Sequence, residues 1–323
     1  MAAAPGALRF NTDSLKMELY DGNQWVEIVA SSPDSQTGGA RGLFGGGYIG
    51  VNIIEYVTIS TTGNSIDFGD LTSGRANTAS ASSSTRGIFY AGYTPTLVNI
   101  IDYITISSTG NALDFGDAPT SMSGAGGCSS STRGVFAGGG VPTLINTISY
   151  VTIASIGNTQ DFGDLTQVRA GVGACSSSTR GIFAGGDTPT SVNTIEFVTI
   201  STTSNSADFG DLSVTRATHR GCSNSIRGLF GGSDFPARNV IDYITIATLG
   251  NALDFGDLTV ARGQTAAASS PTRGVWGAGE ISPTGQNVID YVTIMSTGNA
   301  VDFGDTTSTR TNPIGLSNGH GGL

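Results

Sequence analysis

Six copies of Asp-Phe-Gly-Asp begin at Asp67, Asp114, Asp161, Asp208, Asp254 and Asp302, at steps of 47, 47, 47, 46 and 48 residues. An Asp-Phe-Gly triplet can hold magnesium in phosphoryl transfer, but that chemistry also needs a glycine-rich nucleotide loop, a partner lysine and a catalytic loop. Lys16 is the only lysine, and neither loop is present. The tetrapeptide also lacks the dense alternating oxygen ligands of a calcium loop. It reads instead as packing. The Phe goes between neighbouring sheets, the Gly permits close approach, and the carboxylates bond to turn amides or to a nearby Arg. Each buried Phe is expected to contribute about 1.5–3 kcal/mol.

Eight residues after each first Asp stands Arg75, Arg169, Arg216, Arg262 or Arg310, with Met122 taking the place once. Arginines gathered at one centre could clamp a carboxylate ligand. A regular copy in nearly every repeat reads better as the partner of the regular copies of Asp. Cys128, Cys175 and Cys222 share one repeat position, which Ala81, Ala268 and Leu316 fill elsewhere. A site that accepts Cys, Ala or Leu is a small buried apolar position rather than a metal or disulfide site.

Chemistry in a chain of near-equal units should show where one unit departs from the others. His219-Arg220 is the main exception, since the equivalent pairs are Thr78-Ala79, Ala125-Gly126, Val172-Gly173, Thr265-Ala266 and Pro313-Ile314. The pair reads either as a contact to a ligand or ion, or as two side chains that satisfy one another. The only other histidine, His320, lies in a Gly-rich tail, so a histidine metal site is not expected. No Ser-His-Asp set can be assembled. The expectation is a protein that is not an enzyme, with no catalytic residue, cofactor or metal.

These residues are positioned by strands. Residues 169–212 carry four short strand signals, at 169–175, 180–184, 194–200 and 207–212, separated by Ser-rich, Gly-Gly and Asn-containing turns. No helical period occurs anywhere. The predicted fold class is all-β, a six-bladed propeller over 41–323 with one small antiparallel sheet per repeat. Arg41 opens the first repeat on its second strand, while 310–317 supplies an orphan first strand, so the two ends should complete one sheet. With four antiparallel strands, the Ser-rich and Gly-Asn turns share a nearly uniform face. The loops after the second strand share a varied one, with Tyr48, Tyr93, Phe235 and Arg238 as candidate contacts for a protein or glycan.

Residues 1–40 stand outside the repeat as a short β module and linker. Leu8 and Phe10, Met17 and Leu19, and Val26 and Ile28 alternate as strands do, with Asp21-Gly22 as a turn. So small a sheet cannot be stable alone. Phe10, Leu19, Tyr20 and Trp25 are therefore the candidate assembly residues.

Of the 25 acidic residues, 12 lie in the six tetrapeptides, so the net charge of −10 is largely a by-product of the repeat. It disfavours nucleic acid as a partner. No apolar run is long enough to span a membrane, and no polybasic segment suits an anionic surface. The opening Met-Ala-Ala-Ala-Pro-Gly lacks the basic and apolar parts of a signal peptide, which implies synthesis in the cytoplasm.

The order Arg, small strand, Gly-Gly, a third strand with an acidic-aromatic pair such as Glu196-Phe197 or Asp242-Tyr243, then an aromatic in the fourth, resembles the kelch repeat. The resemblance spans 41–318, with Phe where the family usually has Trp. The Gly-x-Leu-Arg-Phe-Asn-Thr-Asp and Tyr-Asp-Gly-x-x-Trp wording of the N-terminus resembles a short module of bacteriophage tail fibres. Repeats worded like Asn-x-Ile-Asp-Tyr-Ile-Thr-Ile resemble virion proteins of phages of marine bacteria, cyanobacteria included. The resemblance implies a structural virion component (tail, fibre, baseplate or capsid-associated), with other virion proteins as partners, a threefold self-association as one mode of assembly, and host-surface glycan or protein as a contact. The alternative is a propeller that binds or acts on glycans.

Overall fold

The computed structural model describes residues 4–11, 16–27, 40–48, 50–234 and 236–323. The chain divides into two compact units, Met1–Thr37 and Gly38–Leu323. Among the described residues every regular element is a strand.

The first unit is a three-stranded antiparallel sheet of Leu8–Asn11, Lys16–Tyr20 and Trp25–Glu27. Its tight turn is set by Asp21, whose Oδ1 accepts from the amides of Asn23 and Gln24 at 2.7 and 2.8 Å, and by Gly22 at φ +103°. The register aligns Leu8, Leu19 and Val26 in one column and pairs Tyr20 with Trp25 in the next. Strand alternation puts those columns on opposite faces. The candidate assembly residues Leu19, Tyr20 and Trp25 are thus divided between two faces rather than gathered on one. Phe10 enters the register opposite Met17. On the Tyr20 face, Arg9 bridges Glu18 at 2.7 Å and lies 4.2 Å from the Trp25 ring.

Among the described residues the second unit contains six sheets of four or five strands, and a two-stranded ribbon of Gly140–Val141 and Thr143–Leu144. Sheet 1 is Ile314–Ser317, Arg41–Gly47, Val51–Thr58 and Ile66–Asp70. Sheet 2 is Ala79–Ser82, Arg86–Tyr93, Leu97–Thr105 and Leu113–Met122. Sheet 3 is Gly126–Ser129, Arg133–Ala137, Thr147–Thr152 and Gln160–Asp164. Sheet 4 is Gly173–Ser176, Arg180–Ala184, Thr194–Thr199 and Ala207–Asp211. Sheet 5 is Arg220–Ser223, Arg227–Ser233, Arg238–Thr245 and Leu253–Asp257. Sheet 6 is Ala266–Ser269, Arg273–Gly277, Thr284–Thr293 and Val301–Arg310, with Glu280–Ile281 added beside its third strand. All pair antiparallel, and Ile314–Ser317 docks on Arg41–Gly47 with Leu316 opposite Leu43. The first strands of the sequence begin later than expected: the one in sheet 4 starts at Gly173 rather than at 169, because the preceding residues form loop contacts instead of a ladder.

Burial explains the repeat. Second strands are buried almost throughout, whereas in the Asp-Phe-Gly-Asp stretch of each fourth strand only the Phe is fully enclosed. The register shifts at that Phe: Ile195 pairs with Gly210 and Glu196 with Asp208, so Phe209 is the extra residue of a β-bulge. The bulge turns the ring inward against Phe197, edge on at 6.2 Å. Gly210, at φ +145°, has no room for a Cβ beside the Gly250 carbonyl of the next sheet. The Arg-Gly pair is similarly determined. The guanidinium of Arg180 lies over Phe197 at 4.5 Å and donates at 2.8 Å to the Ile246 carbonyl of sheet 5. Gly181 leaves space for the Cys128 thiol of sheet 3. All three cysteines are buried and free, as a small apolar position requires, and burial pushes the Cys128 thiol up to about 12.

Each first strand presents an edge whose amides and carbonyls have no neighbouring strand. One serine per sheet resolves this. Ser129 Oγ donates to the Ser82 carbonyl at 2.9 Å and accepts the Ser82 amide at 2.9 Å. The same donation links Ser176 to Ser129, Ser223 to Ser176, Ser269 to Ser223, Ser317 to Ser269 and finally Ser82 to Ser317. Outside this series, the Asn158 side chain caps the Asp117 amide, and Asn64 caps Asp305 in the same way. Ser176→Ala leaves a buried carbonyl and amide unpaired, so we expect a loss of about 1–3 kcal/mol in urea unfolding.

Candidate functional site

The arginines after the tetrapeptides are fully buried, and their partners are not the tetrapeptide carboxylates, of which the first is exposed in each copy. Each pairs with the acidic residue of the next sheet's third strand: Arg75–Asp102 at 2.9 Å, Arg169–Glu196 at 3.1 Å, and Arg216–Asp242, Arg262–Asp290 and Arg310–Glu55 at 2.8 Å. This corrects the expected pairing. The bulge leaves the tetrapeptide Asp facing outward, while the third-strand carboxylate points to the sheet interface. A Thr or Ser completes each knot: Ser213 gives Asp242 both its amide, at 3.0 Å, and its hydroxyl, at 2.7 Å. Burial lowers the Arg216 pKa to about 10, against the opposing pull of Asp242.

The sixth position shows what happens without the arginine. Met122 stands in its place, Ser149 replaces the carboxylate, and Pro119, which has no amide hydrogen, replaces the Thr donor. Tyr90 fills the gap, with its hydroxyl 3.1 Å from Ser149 Oγ and 3.7 Å from Met122 Sδ. All three polar members disappear together because any one alone would be a buried unpaired group. Met122 was visible as an exception in the sequence; its link to Ser149 and Pro119 was not. These arginines are therefore structural and form no ligand clamp.

Between the first strands lies a cavity of about 70 Å³ lined mainly by their Gly, Ala, Cys and Ser residues. The serine series bounds one end. There the tail crosses, with the Gly321 amide on the Ser223 carbonyl at 2.9 Å and His320 Nε2 3.0 Å from the Ser82 carbonyl. At the other end six residues sit in the left-handed region, Asn77, Gly124, Gly171, Thr218, Gln264 and Asn312, with φ between +53° and +73°. Their amides bond one to the next, Gly124 to Asn77, Gly171 to Gly124, Thr218 to Gly171, Gln264 to Thr218, Asn312 to Gln264 and Asn77 to Asn312, at 2.7–3.3 Å.

His219 and Arg220 enter this region, but not as two side chains that satisfy each other. His219 is 0% exposed, wedged against Gly173 and Gly185 of sheet 4 with Phe230 edge on at 5.9 Å, and neither ring nitrogen has a hydrogen-bond partner. Burial, and then the charges of Arg216, Arg220 and Arg169, hold its pKa well below the usual imidazole range. Arg220 lines the cavity and is 6% exposed; its Nη1 makes a long 3.4 Å bond to the His219 carbonyl, and its Nε has no acceptor. The Arg220 carbonyl accepts from Trp276 Nε1 at 3.1 Å.

On the loop face, Tyr48 and Tyr93 come together from sheets 1 and 2, their rings 6.4 Å apart and nearly parallel, with Tyr48 51% exposed. A groove of about 760 Å³ is lined by Leu97, the strand partner of Tyr93, and by Pro142, Leu144, Val168 and Pro189 among others. Val168 is the contribution that the sequence reading missed, since it lies between a tetrapeptide and its arginine rather than in a loop after a second strand. Arg238 belongs to sheet 5, whose first strand packs on those of sheets 4 and 6, and its half-buried side chain leaves Nε without an acceptor. Phe235 lies outside the described residues. No protein-family model matches the chain, and a search of curated proteins finds no match.

Proposed function

We propose that the six sheets are the blades of a closed, kelch-like propeller in a non-enzymatic structural protein of a bacteriophage particle. Its varied loop face meets a protein or the host surface, and residues 1–40 hold it in the particle. In favour of closure, the serine, amide and Asn series each return from sheet 6 to sheet 1. The observation that carries the binding role is the contrast between the two faces. On the turn face the Asn of each Gly-Asn or Ser-Asn turn bonds an amide of the preceding sheet, whereas the loop face carries an apolar groove and the stack of exposed Tyr48 on half-buried Tyr93. Aromatic and apolar groups in a concave surface suit a partner or a sugar ring.

The attachment role of residues 1–40 draws on their unshielded apolar surface: Leu8, in the Leu8–Leu19–Val26 column, is 59% exposed. A second copy in a threefold arrangement or another virion protein would cover it. A chain beginning at Thr37 is expected to stay soluble, monomeric and strand-rich, yet to fail to join particles when supplied to a phage lacking the protein. Aggregation or loss of cooperative unfolding would show that the segment belongs to the propeller's own core. Mass spectrometry of purified virions tests the main reading, and absence of the polypeptide would reject it. Tyr48→Ala with Tyr93→Ala should lower host adsorption without altering the unfolding midpoint.

A further inference from the structure

The cavity between the first strands contains one permanent charge and no carboxylate. Of its lining side chains only Arg220 is ionic, and the remainder are Ser, Gly, Ala, Cys and other apolar groups together with His320. The other five buried arginines described above each have a carboxylate within 3.1 Å, and Arg220 has none. A guanidinium does not shed its proton at neutral pH, so an unbalanced one that is only 6% exposed calls for a counter-charge from outside the chain.

We propose that Arg220 and the cavity it lines form a binding site for a small monovalent inorganic anion of the halide class. The volume of about 70 Å³ is several times the roughly 10–15 Å³ that one water needs, which admits a halide with accompanying water. The serine series and tail bound one end and the bonded amides the other, and the small volume between them favours a small ion over a sugar acid or a phosphate ester. Burial lowers the Arg220 pKa only to about 10, so the site remains cationic at neutral pH. Ala79, Gly126, Gly173 and Ala266 occupy the equivalent position in other sheets, so the fold does not require an arginine there. This inference does not depend on the assembly role proposed above.

The test uses the full chain in halide-free buffer, with sodium bromide exchanged for sodium gluconate at constant ionic strength. Bromide should raise the thermal unfolding midpoint in a saturable way. Arg220→Ala should fold and lose that shift, whereas Arg9→Gln, on the first unit, should keep it. Crystals grown in bromide should show an anomalous peak within hydrogen-bond distance of the Arg220 guanidinium. A bromide-saturated crystal with no such peak would overturn the proposal, even if the variant failed to fold. So would an equal midpoint shift in Arg220→Ala, or an equal shift from sulfate at matched ionic strength, which would indicate a general salt effect.

Discussion

Asp242→Asn is expected to cost about 3–5 kcal/mol in urea unfolding, because it strands the Arg216 charge inside the sheet interface. Both partners of that pair are 0% exposed, so solvent offers little screening. The double replacement Arg216→Met with Asp242→Ser should cost far less than the two single replacements added together. The protein contains its own precedent in Met122 and Ser149, where the same interface is filled without charge. A double-mutant cycle measures this directly. Additive losses would mean that the pair contributes no coupling and that the Ser213 bonds to Asp242 dominate the knot. Adding Ala184→Tyr, the counterpart of Tyr90, should recover part of the remaining deficit by refilling the space.

The second large effect is a dependence on pH that His219 imposes. Its folded pKa is depressed well below 6.5, so at mildly acidic pH the unfolded chain binds a proton that the folded chain does not. Its contribution is flat above about pH 6.5, and stability then falls by about 1.4 kcal/mol per pH unit as the pH drops toward the folded pKa. His219→Val, which installs the residue found at Val172, should remove this component, so the difference between the two proteins widens steadily from pH 6.5 to 4.5. Parallel stability profiles over that range would mean that His219 is protonated in the folded protein. His320 remains in both proteins and cancels from the comparison.

Arg75 and its counterparts show how far a repeat can be read from its wording. Their spacing after Asp-Phe-Gly-Asp implied a structural partner, and the structure supplies one. The tetrapeptide Asp was the wrong partner, because a single β-bulge at the Phe decides which carboxylate turns inward, and a bulge is a matter of register between strands. Ile314–Ser317, by contrast, was placed from sequence alone. The first repeat lacked a first strand and the last residues supplied one, and antiparallel pairing left them one place to go.

By itself the sequence determined the period, the all-strand character, the four strands of each unit and the apolar nature of the cysteine position. Each of these follows from short-range patterns of side-chain size, turn residues and alternation. The groove beside Tyr93, the Met122–Ser149–Pro119 exchange, the serine series and the unbalanced charge of Arg220 were decided only in the tertiary structure. The bonds among them join groups 32 to 235 residues apart that meet where one sheet packs on the next, and the geometry of that packing is not encoded in any local window of the chain.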